Sequence, residues 1–325
     1  MLIRRQRDRK LAGGIDLGGT KVAAAVIGPD REILGRGRNP TPTKGGPEAV
    51  QAAVIKTMNE AASEAGVETG RLGGIGLGAP GSVDSGAGTL ANAGNLPDWR
   101  DPYPIGPRLQ EAFGTTVVVG NDVQVGTDAE YRLGAGRGYD SLLGVFWGTG
   151  VGGGLILGGR PWKGRGRAGE IGHTLVRRGG AREIGRLRGT VEAYAGRKAM
   201  EAKARREVKK GRKTELFKIM ESKGKTSLTS AVWAKAYRDG DEMAHDLLHR
   251  AVTALAAGTA SAVNLRDVEA VIIGGGLGVR FGDSLVPKIG RKMERYLLNP
   301  DDPPAFEVAA LGDDGGVLGA SLLVV

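Results

Sequence analysis

The chain contains no cysteine among its 325 residues, which excludes disulfides and thiolate metal sites outright. It has no apolar run approaching the ~18 residues that mark a membrane-spanning helix. No apolar signal core follows the basic N-terminus, because the chain turns at once into Gly13-Gly14-Ile15-Asp16. A soluble protein with no membrane contact is expected, with the cytoplasm as its default location. Low-complexity tails and short-period repeats are also missing.

What is present is a chain long enough for two domains, each with its own core, and 40% of its residues are hydrophobic. The net charge of +10 is unevenly placed. Residues 1–10 carry a net +4 and residues 197–225 a net +8, so the remainder is slightly acidic. The protein is therefore not a basic nucleic-acid-binding shell. The run Lys203 to Lys213 could hold a polyanion or could simply be a solvated helix end and loop.

Strand and helix signals alternate, which predicts an α/β architecture. Three glycine-rich segments, Asp16-Leu-Gly-Gly-Thr-Lys21, Gly148-Thr-Gly-Val-Gly-Gly-Gly154 and Gly274-Gly-Gly-Leu-Gly278, each follow a short apolar run that reads as a strand. Such turns bring backbone N–H groups close to an anion, and three of them suggest a nucleotide clamped between two lobes. The first two sit in strand-turn-strand contexts, which hints at related halves. The spacing at residues 16–21 fits neither G-x-x-x-x-G-K-[ST] nor G-x-G-x-x-G. Helices are expected at 47–65, 104–113, 190–206, 226–239, 241–264 and 283–296, and from Gly316 to the C-terminus. The stripe Leu247, Ala251, Leu255, Gly258 and Ala262 must pack closely, against the sheet or against another subunit.

Several polar residues stand out. Asp16, beside the first glycine turn, would repel phosphate unless a cation intervened, so its natural role is to hold Mg2+ through water. Asn121-Asp122 ends a strand, where α/β proteins place reactive groups, although the aspartate could equally cap the following helix. Glu170-Ile-Gly-His173 resembles a metal pair in spacing, but Gly169 and Gly172 argue against a helix there, and no third ligand matches. His245 and His249 are read as surface or interface residues.

The run Phe146 to Arg160, continued through Gly166 and Ala168-Gly-Glu-Ile-Gly-His173, closely resembles the signature of the ROK family (repressors, unassigned reading frames and sugar kinases). Gly14 to Lys21, Gly78-Ala-Pro-Gly81, Gly94-Asn-Leu-Pro97, Gly120-Asn-Asp122, Val191-Glu-Ala-Tyr194 and Gly274-Gly-Gly276 match in the same order. The resemblance spans nearly the whole chain. It implies a two-lobed actin-like, hexokinase-type (ribonuclease H-like) ATPase fold with an interlobe cleft. The expected division is residues 1–120, joined by a returning C-terminal helix at 311–325, and residues 121–310.

The resemblance further implies a kinase of the glucokinase type that phosphorylates a hexose with ATP and Mg2+. Asp122 would be the general base for the sugar 6-hydroxyl. Asn95, Asn121, Glu170, His173 and Glu192 would bind hydroxyls, with Gly81 lending backbone. Gly18, Gly19, Thr20 and Lys21 would cradle phosphates together with Gly148, Thr149 and Gly150, and Gly275 and Gly276 would lie against the adenosine. Many relatives carry a zinc site here with three cysteines, whose positions are held by Glu183, Gly185 and Thr190, so zinc is not expected. A sugar-responsive repressor would need a DNA-reading module, and only twelve residues precede Gly13. Open alternatives are mannose, fructose or an N-acetylhexosamine as acceptor, and polyphosphate bound at 197–225 as donor. A homodimer is expected, and a nucleic-acid partner is not.

Overall fold

The computed structural model describes residues 11–182 and 187–325. The basic first ten residues and the positions Glu183 and Gly185 lie outside that description. The chain divides into two compact units. One comprises the residues through Leu133 with Gly164–Gly166 and Leu311–Val325, and the other comprises Gly134–Lys163 and Arg167–Ala310.

The first unit is built on strands β1 (Ala12–Leu17), β2 (Lys21–Ile27), β3 (Ile33–Pro40), β4 (Ile75–Ala79) and β7 (Val117–Asn121), in the order β3-β2-β1-β4-β7. Strands β1, β2 and β3 are antiparallel neighbours, while β1, β4 and β7 run parallel. A short hairpin of β5 (Ser82–Asp84) and β6 (Thr89–Ala91) follows β4. Side chains alternate across β1 with the strand period of two. Ile15 and Leu17 join the cluster containing Val50, Val54 and Met58 of helix α1 (Gly46–Glu64). Gly14 and Asp16 instead face helix α11 (Gly315–Ser321). Helix α2 (Ile105–Phe113) adds Ile105, Leu109 and Phe113 to the cluster. Helix α3 (Asp122–Leu133) packs against α11, which groups residues 121–133 with this unit.

The second unit repeats the pattern. Strands β8 (Leu142–Trp147), β9 (Val151–Leu157), β10 (Arg160–Pro161), β11 (Ala270–Gly274) and β12 (Ala305–Val308) stand in the order β10-β9-β8-β11-β12. Again three strands are antiparallel neighbours, and the other two continue parallel to β8. The expectation of related halves thus has a topological counterpart, an antiparallel hairpin leading into a parallel sheet.

The helices of this unit are α4 (Val191–Ala195), α5 (Arg197–Lys209), α6 (Leu216–Ser222), α7 (Ser230–Arg238), α8 (Glu242–Arg266), α9 (Gly275–Arg280) and α10 (Val286–Glu294). The single helix expected over 190–206 is broken at Gly196, and α6 falls between the expected helices, where none was expected. Its Leu216, Ile219 and Met220 are buried despite the surrounding lysines. The small-residue stripe of α8 is filled within the chain. Leu247, Ala251 and Leu255 are buried, and Gly258 lies so close to Val191 that a β-carbon would come within 2.3 Å of its methyl. The stripe therefore supplies no free face for a second subunit. No described helix is long and apolar enough to cross a membrane.

Candidate active site

In the first unit, strand register brings the singled-out residues to one sheet end. Asp16 is paired with Gly78 across β1 and β4, and Ala79 with Asn121 across β4 and β7. The C-terminal ends of these three parallel strands therefore carry Asp16, Gly81 and Asn121-Asp122 side by side, the place where parallel sheets expose backbone and helix starts to ligands. Asn121 shares in capping α3, its Oδ1 accepting from the N–H groups of Val123 and Gln124 at 3.1 and 3.2 Å. Asn121 also donates to the Gly81 carbonyl at 3.5 Å. Asp122 opens α3, and its Oδ1 accepts from the Val123 N–H at 2.9 Å.

The first glycine turn joins β1 to β2 and is closed by the Gly18 N–H donating to the Lys21 carbonyl at 2.9 Å. Thr41, buried at the end of β3, holds this turn from behind. Its hydroxyl donates to the Gly18 carbonyl at 2.6 Å, and its N–H donates to the Thr20 carbonyl at 3.2 Å. A planar peptide points its C=O and N–H in opposite directions, so binding the Gly18 carbonyl aims the Gly19 N–H away from Thr41. That N–H and the Thr20 N–H meet no acceptor among the described residues. Asn95 lies against Gly19, and a β-carbon there would sit 2.9 Å from the Asn95 β-carbon.

Asp16 is the charged centre of this half-site. Burial pushes its carboxyl above the ordinary range, partly opposed by Lys21 and reinforced by Asp313. Lys21 Nζ lies 3.7 Å from Asp313 Oδ2. A half-buried carboxylate whose charge is penalised by its surroundings fits a divalent cation, which would offset that cost. No group of three potential ligands exists among the described residues, so the donor set suits Mg2+ held largely by water and phosphate oxygens.

In the second unit, Gly274 is paired with Phe146 across parallel β11 and β8, so the second and third glycine segments also share one sheet end. The third is a strand-to-helix junction, with Gly275 at φ +79° starting α9. Gly276 N is the nearest atom to a β-carbon built on Gly148, at 3.8 Å. The second turn is closed by the Gly148 N–H on the Gly150 carbonyl at 2.9 Å. Its other carbonyls are taken by the start of α5. Arg197 N–H donates to Gly148 O, and Lys198 N–H donates to Thr149 O, both at 3.1 Å. By the same peptide geometry, the N–H groups of Thr149 and Gly150 point away from α5, and neither meets an acceptor among the described residues. Two free N–H donors on a tight turn suit an anion.

Glu192 sits on α4 with Oε2 accepting from the Val151 N–H at 2.7 Å. Gly150 has to be glycine for this contact, since a β-carbon would fall 2.2 Å from that oxygen. Thr190, at the third cysteine position, is buried and caps α4 by accepting from the Ala193 N–H at 3.3 Å. The adjoining loop is tied by Val191 N–H to Thr174 O at 3.0 Å, Val176 N–H to Gly189 O at 2.8 Å, and Ala181 N–H to the Tyr194 hydroxyl at 3.0 Å. Hydrogen bonds thus hold the described residues between His173 and Glu192. Glu170 and His173 flank a 3-10 turn, with carboxylate and imidazole 3.9 Å apart and both exposed.

The basic segment is partly self-neutralised. Lys203 pairs with Glu207, Arg205 with Glu201, Arg212 with Asp246, and Lys218 with Glu215. His245 is exposed, stacks on Tyr237 at 4.1 Å and bonds its carbonyl. Two residues that hold the turns, Thr41 and Arg197, escaped the sequence reading. Thr41 lies in an unremarkable Thr-Pro-Thr loop, and Arg197 is one of twelve basic residues in the segment 197–225.

The ROK family model matches residues 12–325. A glucokinase of Thermotoga maritima is 32% identical over 314 residues, 96% of each chain. An N-acetylmannosamine kinase of Shigella boydii is 31% identical over 318 residues, 95% of this chain and 96% of its own. The crystal structure of a ROK family glucokinase from Streptomyces griseus, in complex with glucose and AMPPNP, is similar at a TM-score of 0.79. It is 31% identical, and the match covers 96% of this chain and 98% of that one.

Proposed function

The chain belongs to the ROK family and is an ATP-dependent sugar kinase, and from that premise we propose that its acceptor is the 6-hydroxyl of a hexose, D-glucose foremost. The observation that carries this reading is the shared strand end of β1, β4 and β7. It sets a carboxylate suited to Mg2+ (Asp16), a backbone turn (Gly81) and a helix-opening carboxylate (Asp122) on adjacent strands.

In this reading Asp122 accepts the proton of the 6-hydroxyl as that oxygen attacks the terminal phosphorus of ATP. The bond from that phosphorus to the bridging oxygen breaks, and ADP leaves with the electron pair. Asn95, Asn121, Glu170, His173 and Glu192, with the Gly81 backbone, match sugar hydroxyls, each of which is both donor and acceptor. Gly18, Gly19, Thr20 and Lys21 hold phosphate oxygens, as do Gly148, Thr149 and Gly150, and Gly275 and Gly276 lie against adenosine. When bound near Asp16, Mg2+ neutralises charge on the phosphates. The reading includes a cytoplasmic homodimer, resting on resemblance alone now that the α8 stripe is filled.

The test is a coupled assay crossing glucose, mannose, fructose and N-acetylated hexosamines with ATP and polyphosphate at two ionic strengths. Phosphorus NMR then locates the new ester. ATP-dependent formation of glucose 6-phosphate is expected, and preference for another sugar would move the assignment to that hexose. Polyphosphate use that weakens with salt would give the unpaired cations of residues 197–225 a role. No transfer to any sugar would end the reading.

A further inference from the structure

Arg197 is doubly attached to the second glycine turn. Beyond its backbone bond to Gly148, its Nη2 donates to Thr149 Oγ1 at 2.9 Å and its Nη1 donates to the Leu228 carbonyl at 3.1 Å. Leu228 is held in turn, its N–H donating to Glu201 Oε2 at 2.9 Å. The guanidinium is thus fixed from two sides and half-buried. A threonine hydroxyl has one proton to give and lone pairs to offer. Arginine has no acceptor, so this contact fills a lone pair and leaves the proton to be donated elsewhere. The Thr149 hydroxyl donates to nothing among the described residues, and Thr149 is exposed.

We propose that Arg197 is a positioning residue for the phosphate donor. By occupying the acceptor side of the Thr149 hydroxyl, it directs the O–H outward with the free N–H groups of Thr149 and Gly150. The turn then presents three donors to one anion, with a fixed positive charge behind them. A lysine could supply the charge but not the two-pronged bridge between Thr149 and Leu228. This role rests on the kinase reading for the identity of the anion. The cradle itself follows from the hydrogen bonds.

The experiment measures binding of two ligands to the full-length protein and its variants, namely the Mg2+ complex of a β,γ-imido analogue of ATP and adenosine, which has no phosphates. Arg197→Met is expected to weaken the triphosphate about tenfold or more, the scale of a charge-assisted hydrogen bond, while adenosine affinity and melting temperature stay nearly unchanged. Arg197→Lys should restore part of the loss. Thr149→Val should weaken the triphosphate similarly, and adding Arg197→Met to it should cost less than Arg197→Met does alone.

Equal losses for adenosine and triphosphate would make Arg197 merely structural, and no loss for either would remove it from the site; both results overturn the proposal. If Arg197→Met does not fold, Thr149→Val and Arg197→Lys carry the same discrimination, because Thr149 is exposed and its loss leaves the core intact. Wild-type protein that binds neither ligand and phosphorylates no hexose would sink the kinase reading. Wild-type activity together with indifferent variants would sink only the role of Arg197.

Discussion

The two glycine hairpins occupy equivalent places in sheets of the same topology, yet they are held by different means. In the first unit one buried residue, Thr41, takes two carbonyls of the turn with its hydroxyl and its N–H. In the second the two carbonyls are taken by the first N–H groups of α5, and a guanidinium adds a bond to the Thr149 hydroxyl. Both arrangements aim free N–H groups off the turn. The side chains then differ: the first hairpin leads with a half-buried carboxylate, while the second is backed by arginine and braced by Glu192 on Val151. One turn is thus equipped for a cation with its anion, and the other for the anion alone.

The most severe way to break this comparison is at Asp122, which serves the first half-site alone. Asp122→Asn should leave sugar binding nearly intact and lower kcat by about 100-fold or more, the usual scale for a general base. A variant with near-normal kcat in the coupled assay would remove Asp122 from that role. Asp16→Asn comes next, and should raise the Mg2+ needed for half-maximal activity by roughly 10–100-fold, as outer-sphere partners of a metal do. Because burial raises the folded pKa of Asp16, its contribution to stability is full below the unfolded value and is lost as pH rises through the folded one. Asp16→Asn should therefore melt higher than wild type at neutral pH, and the gap should close in acid. A variant that melts lower at neutral pH would refute the buried-charge account.

Gly150→Ala tests the second hairpin. Its β-carbon must displace Glu192 from the Val151 N–H, and loss of such a charged hydrogen bond should cost about 2 kcal/mol in urea unfolding. An unchanged unfolding midpoint would mean that Glu192 does not brace the turn. Thr41→Val removes a neutral hydrogen bond from the first turn, for about 1 kcal/mol, with a parallel rise in KM for ATP and no change in KM for sugar. A rise in sugar KM alone would contradict the role given to Thr41.

The smallest effect is expected at Asp314, whose carboxyl is held below its ordinary range chiefly by its hydrogen bonds to Arg36. That contribution is present above the unfolded value and disappears as pH falls through the folded pKa, opposite in sign to Asp16. The pair is largely exposed, so Asp314→Asn should cost under about 1 kcal/mol. A larger loss by thermal melting at neutral pH would show a structural role for the pair.

Much of this was legible in the chain because the signals are local. Apolar runs ending in glycine announced β1, β8 and β11, and helical spacing announced α1 and α8. The ordered motifs carry the family and mark Asp16, Asp122 and the three glycine segments, but nothing along the chain marks Thr41 or Arg197. The errors share a physical cause. The charge of residues 197–225 hid α6, whose Leu216, Ile219 and Met220 are buried by tertiary packing rather than marked by a visible stripe. The small residues of α8 read equally well as an intersubunit face, and only the position of α4 decided that they are internal. Asn121 and Asp122 are both good helix caps in composition, and both accept from the Val123 N–H at the start of α3.

Local chemistry along the sequence determined the alternation of strand and helix, the three glycine segments at strand ends, the absence of thiolate chemistry and the family. Tertiary structure alone decided which strand ends lie side by side and which groups hold the turns from behind. It also decided that Asp16 is half-buried, where its charge carries a cost. These outcomes depend on register and on approach between segments distant in the chain, such as Thr41 on Gly18 and Arg197 on Thr149. No periodicity or spacing along the chain encodes them.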